Sequence, residues 1–166
     1  MKKGILVSAF SLFLLQIIYA QKASNSIKLH AGAEIPVGSF NEGYSTGWGV
    51  HATDYLEVSK GGSILLTTGL TGWNAKIGEG IKANLFIVRI GYRIFAVEGL
   101  YFQAEAPGVA IYIDENNNGT ELTYGGGIGY LFNRKGKGGL DISSKFNRIS
   151  GRSWISLNIG FQFSRL

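Results

Sequence analysis

From Ile27 onward, apolar and polar residues alternate with a period of two, the repeat of a β-strand whose faces meet different surroundings. The last segment is the cleanest. Ile155, Leu157, Ile159, Phe161 and Phe163 alternate with Trp154, Ser156, Asn158, Gly160 and Gln162. Before it, Leu140, Ile142 and Phe146 face Asp141, Ser143 and Lys145, and Leu122, Tyr124, Ile128, Tyr130 and Phe132 alternate with Thr123, Gly125, Gly127 and Gly129. The same reading predicts strands at about 98–112, 82–93, 63–73, 46–58 and 27–36, and no 3.6-residue pattern survives the glycines. The chain therefore reads as eight strands.

Punctuation between the strands suggests how they connect. Ser59-Lys60-Gly61-Gly62, Ala96-Val97-Glu98-Gly99 and residues 133–139 are compact, glycine-bearing turns. Residues 37–45, 74–81, 113–121 and 147–152 read as longer polar loops. Short turns alternating with longer loops are the pattern of an antiparallel up-and-down barrel whose rims face different compartments. Pro107 interrupts the fifth strand, and a bulge with a change of face before Tyr112 accommodates its missing N–H.

Composition narrows the class. The 166 residues include 25 glycines, about twice the usual share, without the three-residue period of collagen. A hydrophobic fraction of 45% with 16% charged residues is not that of a disordered chain. The absence of cysteine excludes disulfides, thiolate metal sites and a cysteine nucleophile. Residues 1–20 stand apart: Lys2 and Lys3, an apolar run from Ile5 to Leu15, then Tyr19-Ala20 form a secretory leader expected to be cleaved after Ala20. The expected mature chain, residues 21–166, is one barrel domain. It carries 14 basic against 11 acidic residues, a net charge of +3, which gives nucleic acid no support as a partner. The run at 85–97 contains Arg89 and Arg93 and is too short for a spanning helix.

Alternation alone leaves two barrels open, a soluble one with an apolar interior and a membrane one with an apolar exterior. Three features favour the membrane. The polar face carries Lys28, Glu34, Glu57, Arg89, Arg93, Glu105, Asp141 and Lys145, four acids and four bases that can neutralise one another in a closed lumen. Gly125, Gly127, Gly129 and Gly160 on that face suit the narrow interior of eight strands. Aromatics cluster near strand ends, with Trp48, Trp73 and Trp154 at the loop end and Tyr92, Tyr130, Phe132 and Phe163 at the turn end, as in two interfacial girdles. Asp54 falls on the apolar face and fits only at an interface.

Pro36-Val37-Gly38-Ser39-Phe40, Tyr44-Ser45-Thr46-Gly47-Trp48-Gly49-Val50, Gly126-Gly127-Ile128-Gly129-Tyr130, Leu140-Asp141-Ile142-Ser143 and Ile149-Ser150-Gly151, in that order, resemble the small outer-membrane β-barrel domain proteins common in the Bacteroidetes. The resemblance covers essentially the whole mature chain. It implies an eight-stranded barrel of the OmpX and OmpA type, inserted in outer-membrane lipid by the barrel-assembly machinery. Such barrels often end on an aromatic residue, whereas Ser164-Arg165-Leu166 follow Phe163 here.

Candidate chemistry is sparse. Asp114-Glu115-Asn116-Asn117-Asn118-Gly119 copies half of an EF-hand loop, but its twelfth position is Gly125, so the bidentate glutamate is missing. Asn118-Gly119-Thr120 is a glycosylation sequon, and Asn133-Arg134-Lys135-Gly136-Lys137-Gly138 is a basic turn that solvent explains. His30, His51 and Glu34 lack the spacing of a metal site, and the histidines lack a nucleophile. No metal, cofactor or catalytic residue is expected. The expected function is that of a non-enzymatic outer-membrane barrel with a structural or surface-interaction role, a filled lumen and loops open to an extracellular partner. The alternatives are an exported lipocalin-like barrel binding a small hydrophobic ligand and a membrane-embedded lipid-modifying enzyme.

Overall fold

The computed structural model describes residues 25–76, 82–113, 119–132 and 138–164. The leader at 1–20, the acidic and asparagine-rich stretch at 114–118 and the basic turn at 133–137 lie outside the described residues. Among these residues, eight strands and one short helix follow in order: β1 (Asn25–Val37), α1 (Ser39–Gly43), β2 (Gly47–Ser59), β3 (Gly62–Asn74), β4 (Lys82–Phe95), β5 (Leu100–Tyr112), β6 (Thr120–Leu131), β7 (Gly138–Ile149) and β8 (Arg152–Ser164). Each strand pairs antiparallel with the next, and β1 pairs with β8 from Ser26↔Ser164 to Val37↔Ser153. The sheet closes on itself, so no edge is left unpaired.

The alternation resolves into an inverted barrel. Leu29, Val50, Ile90, Ile128, Leu157 and Ile159 point outward and lie exposed, while Lys28, Glu34, Arg89, Arg93, Glu105, Asp141 and Lys145 point inward and are buried. A lipocalin-like interior is thereby excluded, since most of the lumen is polar. Glu57 does not join that lumen. A register shift at Glu57/Ser59 ends the regular alternation of β2, and Glu57 lies exposed at the rim. The buried charges are therefore four bases and three acids among the described residues.

Two connections have their own logic. At Pro107 the register slips against both neighbours, between Arg89/Gly91 on β4 and between Glu105/Gly108 on β5. Inward positions change there from odd (Tyr101, Gln103, Glu105) to even (Gly108, Ala110, Tyr112). The β7–β8 connection, expected as a loop over 147–152, is a two-residue turn. Ile149 pairs with Arg152, and Ser150 and Gly151 have φ of 37° and 83°, the left-handed pair that lets a tight hairpin follow the strand twist.

Interior width is managed by placing large side chains opposite glycine. Tyr101 faces Gly129 across β5–β6, Lys145 faces Gly127 across β6–β7, His30 faces Gly160 across β1–β8, and His51 faces Gly69 across β2–β3. A Cβ on Gly127 would come within 2.1 Å of the Ser144 carbonyl oxygen and 2.8 Å of Lys145 Cγ. Gly127→Ala should therefore cost about 1–3 kcal/mol through overpacking. A chemical-unfolding midpoint in lipid or detergent measures the loss, and Gly126→Ala on the outer face, where the nearest neighbour is 3.4 Å away, should show much less.

Candidate functional site

The lumen divides into three zones along its axis. At the turn end, Lys28 Nζ bonds Asp141 Oδ1 at 3.0 Å, and the Tyr101 hydroxyl donates to the same carboxylate at 2.8–2.9 Å. Arg93 stacks its guanidinium 3.5 Å from the Tyr55 ring centroid and donates to Gln162 Oε1 at 2.8 Å, and Gln162 in turn donates to Ser26 Oγ at 2.7 Å. A guanidinium on an aromatic face keeps part of its electrostatic stabilisation without a carboxylate.

The middle zone centres on Glu105, which is fully buried. Lys145 Nζ lies 3.1 Å and Gln103 Nε2 2.7 Å from Oε1, and Arg89 lies 3.4 Å from Oε2. Arg89 also donates to Asn147 Oδ1 at 2.5 Å and Thr123 Oγ1 at 3.0 Å. Asn147 passes the chain to Ser156 Oγ at 2.8 Å, Ser156 to Glu34 Oε2 at 2.5 Å, and Glu34 Oε1 lies 3.4 Å from His51 Nε2. One continuous network thus joins β1, β2, β4, β5, β6, β7 and β8. His30 stacks on His51 with ring centroids 5.2 Å apart and bonds Thr53 Oγ1 at 3.2 Å.

The loop end is apolar. Phe40, Trp73, Ala83, Leu85, Ile87, Ala110, Tyr112, Ile149 and Trp154 form one buried cluster, with Tyr44 packed against it. Phe40 comes from α1, and the turn into that helix uses Gly38 at φ 62°, a left-handed conformation glycine adopts without strain. Its ring meets Trp73 edge-on at 5.1 Å, and Trp73 meets Trp154 edge-on at 5.1 Å, a favoured aromatic geometry. Trp73 Nε1 donates to the Glu34 carbonyl at 3.0 Å. α1 is held down by Lys76, whose backbone N–H bonds the Gly43 carbonyl at 2.9 Å and whose Nζ bonds the Asn41 carbonyl, and by a Tyr44↔Ala75 bridge.

Trp73 and Trp154 therefore do not belong to the outer girdle. Both point inward and are 2% and 1% exposed. They share parity with Thr71 and Ser156, and that parity decides their direction more strongly than their nearness to a strand end. Trp48, Tyr92, Tyr130 and Phe163 lie outward and exposed. Of the six lumen candidates, Arg89, Glu105 and Lys145 meet directly, and Glu34 reaches Arg89 through Ser156 and Asn147. Asp141 pairs with Lys28, and Arg93 has no carboxylate partner among the described residues. Sequence reasoning missed Tyr55, Tyr101, Thr123, Asn147 and Ser156 as members, although all five occupy inward positions of their strands. No group of three metal-ligating side chains occurs among the described residues.

No family profile and no curated protein sequence matches the chain. Solved structures do. Ail, the attachment invasion locus protein of Yersinia pestis, aligns over 86% of this chain and 99% of its own at 15% identity and a TM-score of 0.57. Neisserial surface protein A aligns over 85% and 97% at 11% identity and a TM-score of 0.58. A de novo designed transmembrane β-barrel aligns over 86% and 96% at 14% identity and a TM-score of 0.53. The likeness is one of fold: a closed eight-stranded barrel spanning nearly the whole length of each relative.

Glu105 is the acceptor on which two buried cations converge. Removing one partner of such a cluster leaves uncompensated charge, so Glu105→Ala should cost about 3–5 kcal/mol. Unfolding from lipid vesicles in guanidinium reads the cost, and Glu57→Ala at the rim should be close to neutral.

Proposed function

We propose that the chain is an integral outer-membrane protein, exported by residues 1–20, that acts as a non-enzymatic structural or surface-interaction barrel. The observation that carries this reading is the inversion of the barrel, with apolar side chains covering the outside while buried charges pair inside. Water cannot solvate that outer surface cheaply, whereas hydrocarbon can. The strands, 12–14 residues long, exceed the 9–11 residues a tilted strand needs to cross a bilayer. The relatives in fold include surface proteins and barrels designed to span membranes, which supports the same placement. Insertion by the barrel-assembly machinery and recognition by an exposed loop belong to the same proposal.

The interior argues against two other roles. Catalysis needs a reactive group open to substrate, yet the histidines and carboxylates lie buried beneath the loop-end aromatics. A diffusion pore needs an open lumen, which belongs to barrels of about 16–18 strands.

Two measurements test the reading. Ile159→Arg places a charge on the outer face and should cost about 2–4 kcal/mol in folding into lipid vesicles if the site lies near the midplane. Asn158→Ser, one residue away and inward, should change much less, and equal insensitivity at both positions would sink the membrane assignment. In planar bilayers the purified protein should show no stable large conductance. Porin-sized currents would mean an open or oligomeric channel.

A further inference from the structure

Charge is not matched evenly along the lumen. In the middle zone Arg89 and Lys145 stand against Glu105 and Glu34. At the turn end Lys28 and Arg93 stand against Asp141 alone, so one positive charge there is unmatched among the described residues. Lys28 lies 3.0 Å from Asp141, Lys145 3.1 Å from Glu105 and Arg89 3.4 Å from Glu105. Arg93, only 2% exposed, is the one described base of the lumen without a carboxylate. Unpartnered polar atoms are widespread in this interior, on hydroxyls, amides, imidazoles and Arg89 Nε, and do not by themselves mark a site. An unmatched buried charge does, because buried charges are ordinarily paired.

The surroundings of Arg93 leave one edge of it open. Its guanidinium carbon lies 3.5, 4.7 and 5.2 Å from the ring centroids of Tyr55, Phe95 and Tyr101. Tyr55 covers a face of the guanidinium, so a ligand approaches in its plane. Within that plane Nη1 donates to Gln162 Oε1 at 2.8 Å, and Gln162 is committed in turn to Ser26. Nε is buried without a partner, and no hydrogen bond joins Nη2 to a described residue. Nε and Nη2 form the side-on fork that holds a carboxylate through two parallel hydrogen bonds.

We propose that the turn-end mouth is a binding site for one small carboxylate, held by the Nε–Nη2 edge of Arg93. A monoanion matches the single unmatched charge, whereas inorganic phosphate near neutral pH carries more. Chloride matches the charge but offers no second acceptor to the fork. The loop-end mouth is shut by the cluster of Phe40, Trp73 and Trp154, so the ligand enters from the turn end, where Ser26 and Phe95 are half-buried. The acids near that rim, Glu57 and Glu98, lie exposed. Glu57 is the nearer by register, since it pairs with Ser63 and Ser63 pairs with Arg93.

The test uses the full chain in nanodiscs of uncharged phosphatidylcholine, titrated separately with sodium acetate and sodium chloride. The Arg93 Nε–Hε NMR signal should shift saturably with acetate and not with chloride, while strand amide shifts report that the barrel is intact. In variants, line broadening of ¹³C-labelled acetate reads the binding. Arg93→Lys keeps the charge but loses the fork, and should weaken acetate binding at least about ten-fold, the loss of one charge-assisted hydrogen bond. Glu57→Gln should bind acetate as the wild type does. Absence of a saturable shift in the folded wild type would overturn the proposal, as would acetate binding unchanged in Arg93→Lys. Equal shifts with chloride would refute the carboxylate assignment. Acetate binding confined to the Glu57→Gln protein would mean that Glu57 turns inward as the counter-ion and that the mouth holds no ligand of its own.

Discussion

The lumen of an eight-stranded barrel is barely wide enough for its own side chains, and the rest of the structure depends on that width. Several long polar groups enter it where a neighbouring strand withdraws to a bare backbone. Lys145 over Gly127 and Tyr101 over Gly129 are the clearest cases, each a direct cross-strand pair. With volume supplied this way, charges from distant strands come within bonding range, as when Lys28 on β1 reaches Asp141 on β7.

The same narrowness lets chemistry change along the axis. Inward positions near the turn end carry Lys28, Arg93 and Asp141, and those near the loop end carry Trp73, Leu85, Ile87 and Trp154. Buried charge requires partners on several strands at once, which the middle of the barrel provides through Glu105 and Asn147. At the mouth, dispersion and burial replace hydrogen bonding, and α1 contributes Phe40 to finish the surface. The barrel therefore holds two kinds of core end to end: a polar one that specifies which strands meet and an apolar one that closes the mouth.

Much of this was legible in the alternation, because a period of two fixes direction once one residue is assigned. Lys28, Arg89, Glu105, Asp141 and Lys145 all fall on the inward parity, and the change of face around Pro107 follows from the missing N–H. Parity was also present for Trp73 and Trp154, where proximity to a strand end suggested the opposite direction. Glu57 failed for a different reason: the irregular register at the end of β2 breaks the alternation and leaves it exposed. α1 was illegible because five residues contain no helical repeat, and its position depends on tertiary contacts with Trp73 and Lys76. Ser150-Gly151 held a turn signal, but its two-residue length is set by the pairing of Ile149 with Arg152.

α1 presents two chemistries from one turn of chain. Phe40 alone supplies its buried residue, while Ser39 and Glu42 lie exposed beside it. Substitution at the exposed positions leaves the aromatic contacts with Trp73 and Tyr44 in place. The charge and shape of the outer cap can therefore vary from one descendant of this sequence to the next while the barrel beneath keeps its closure.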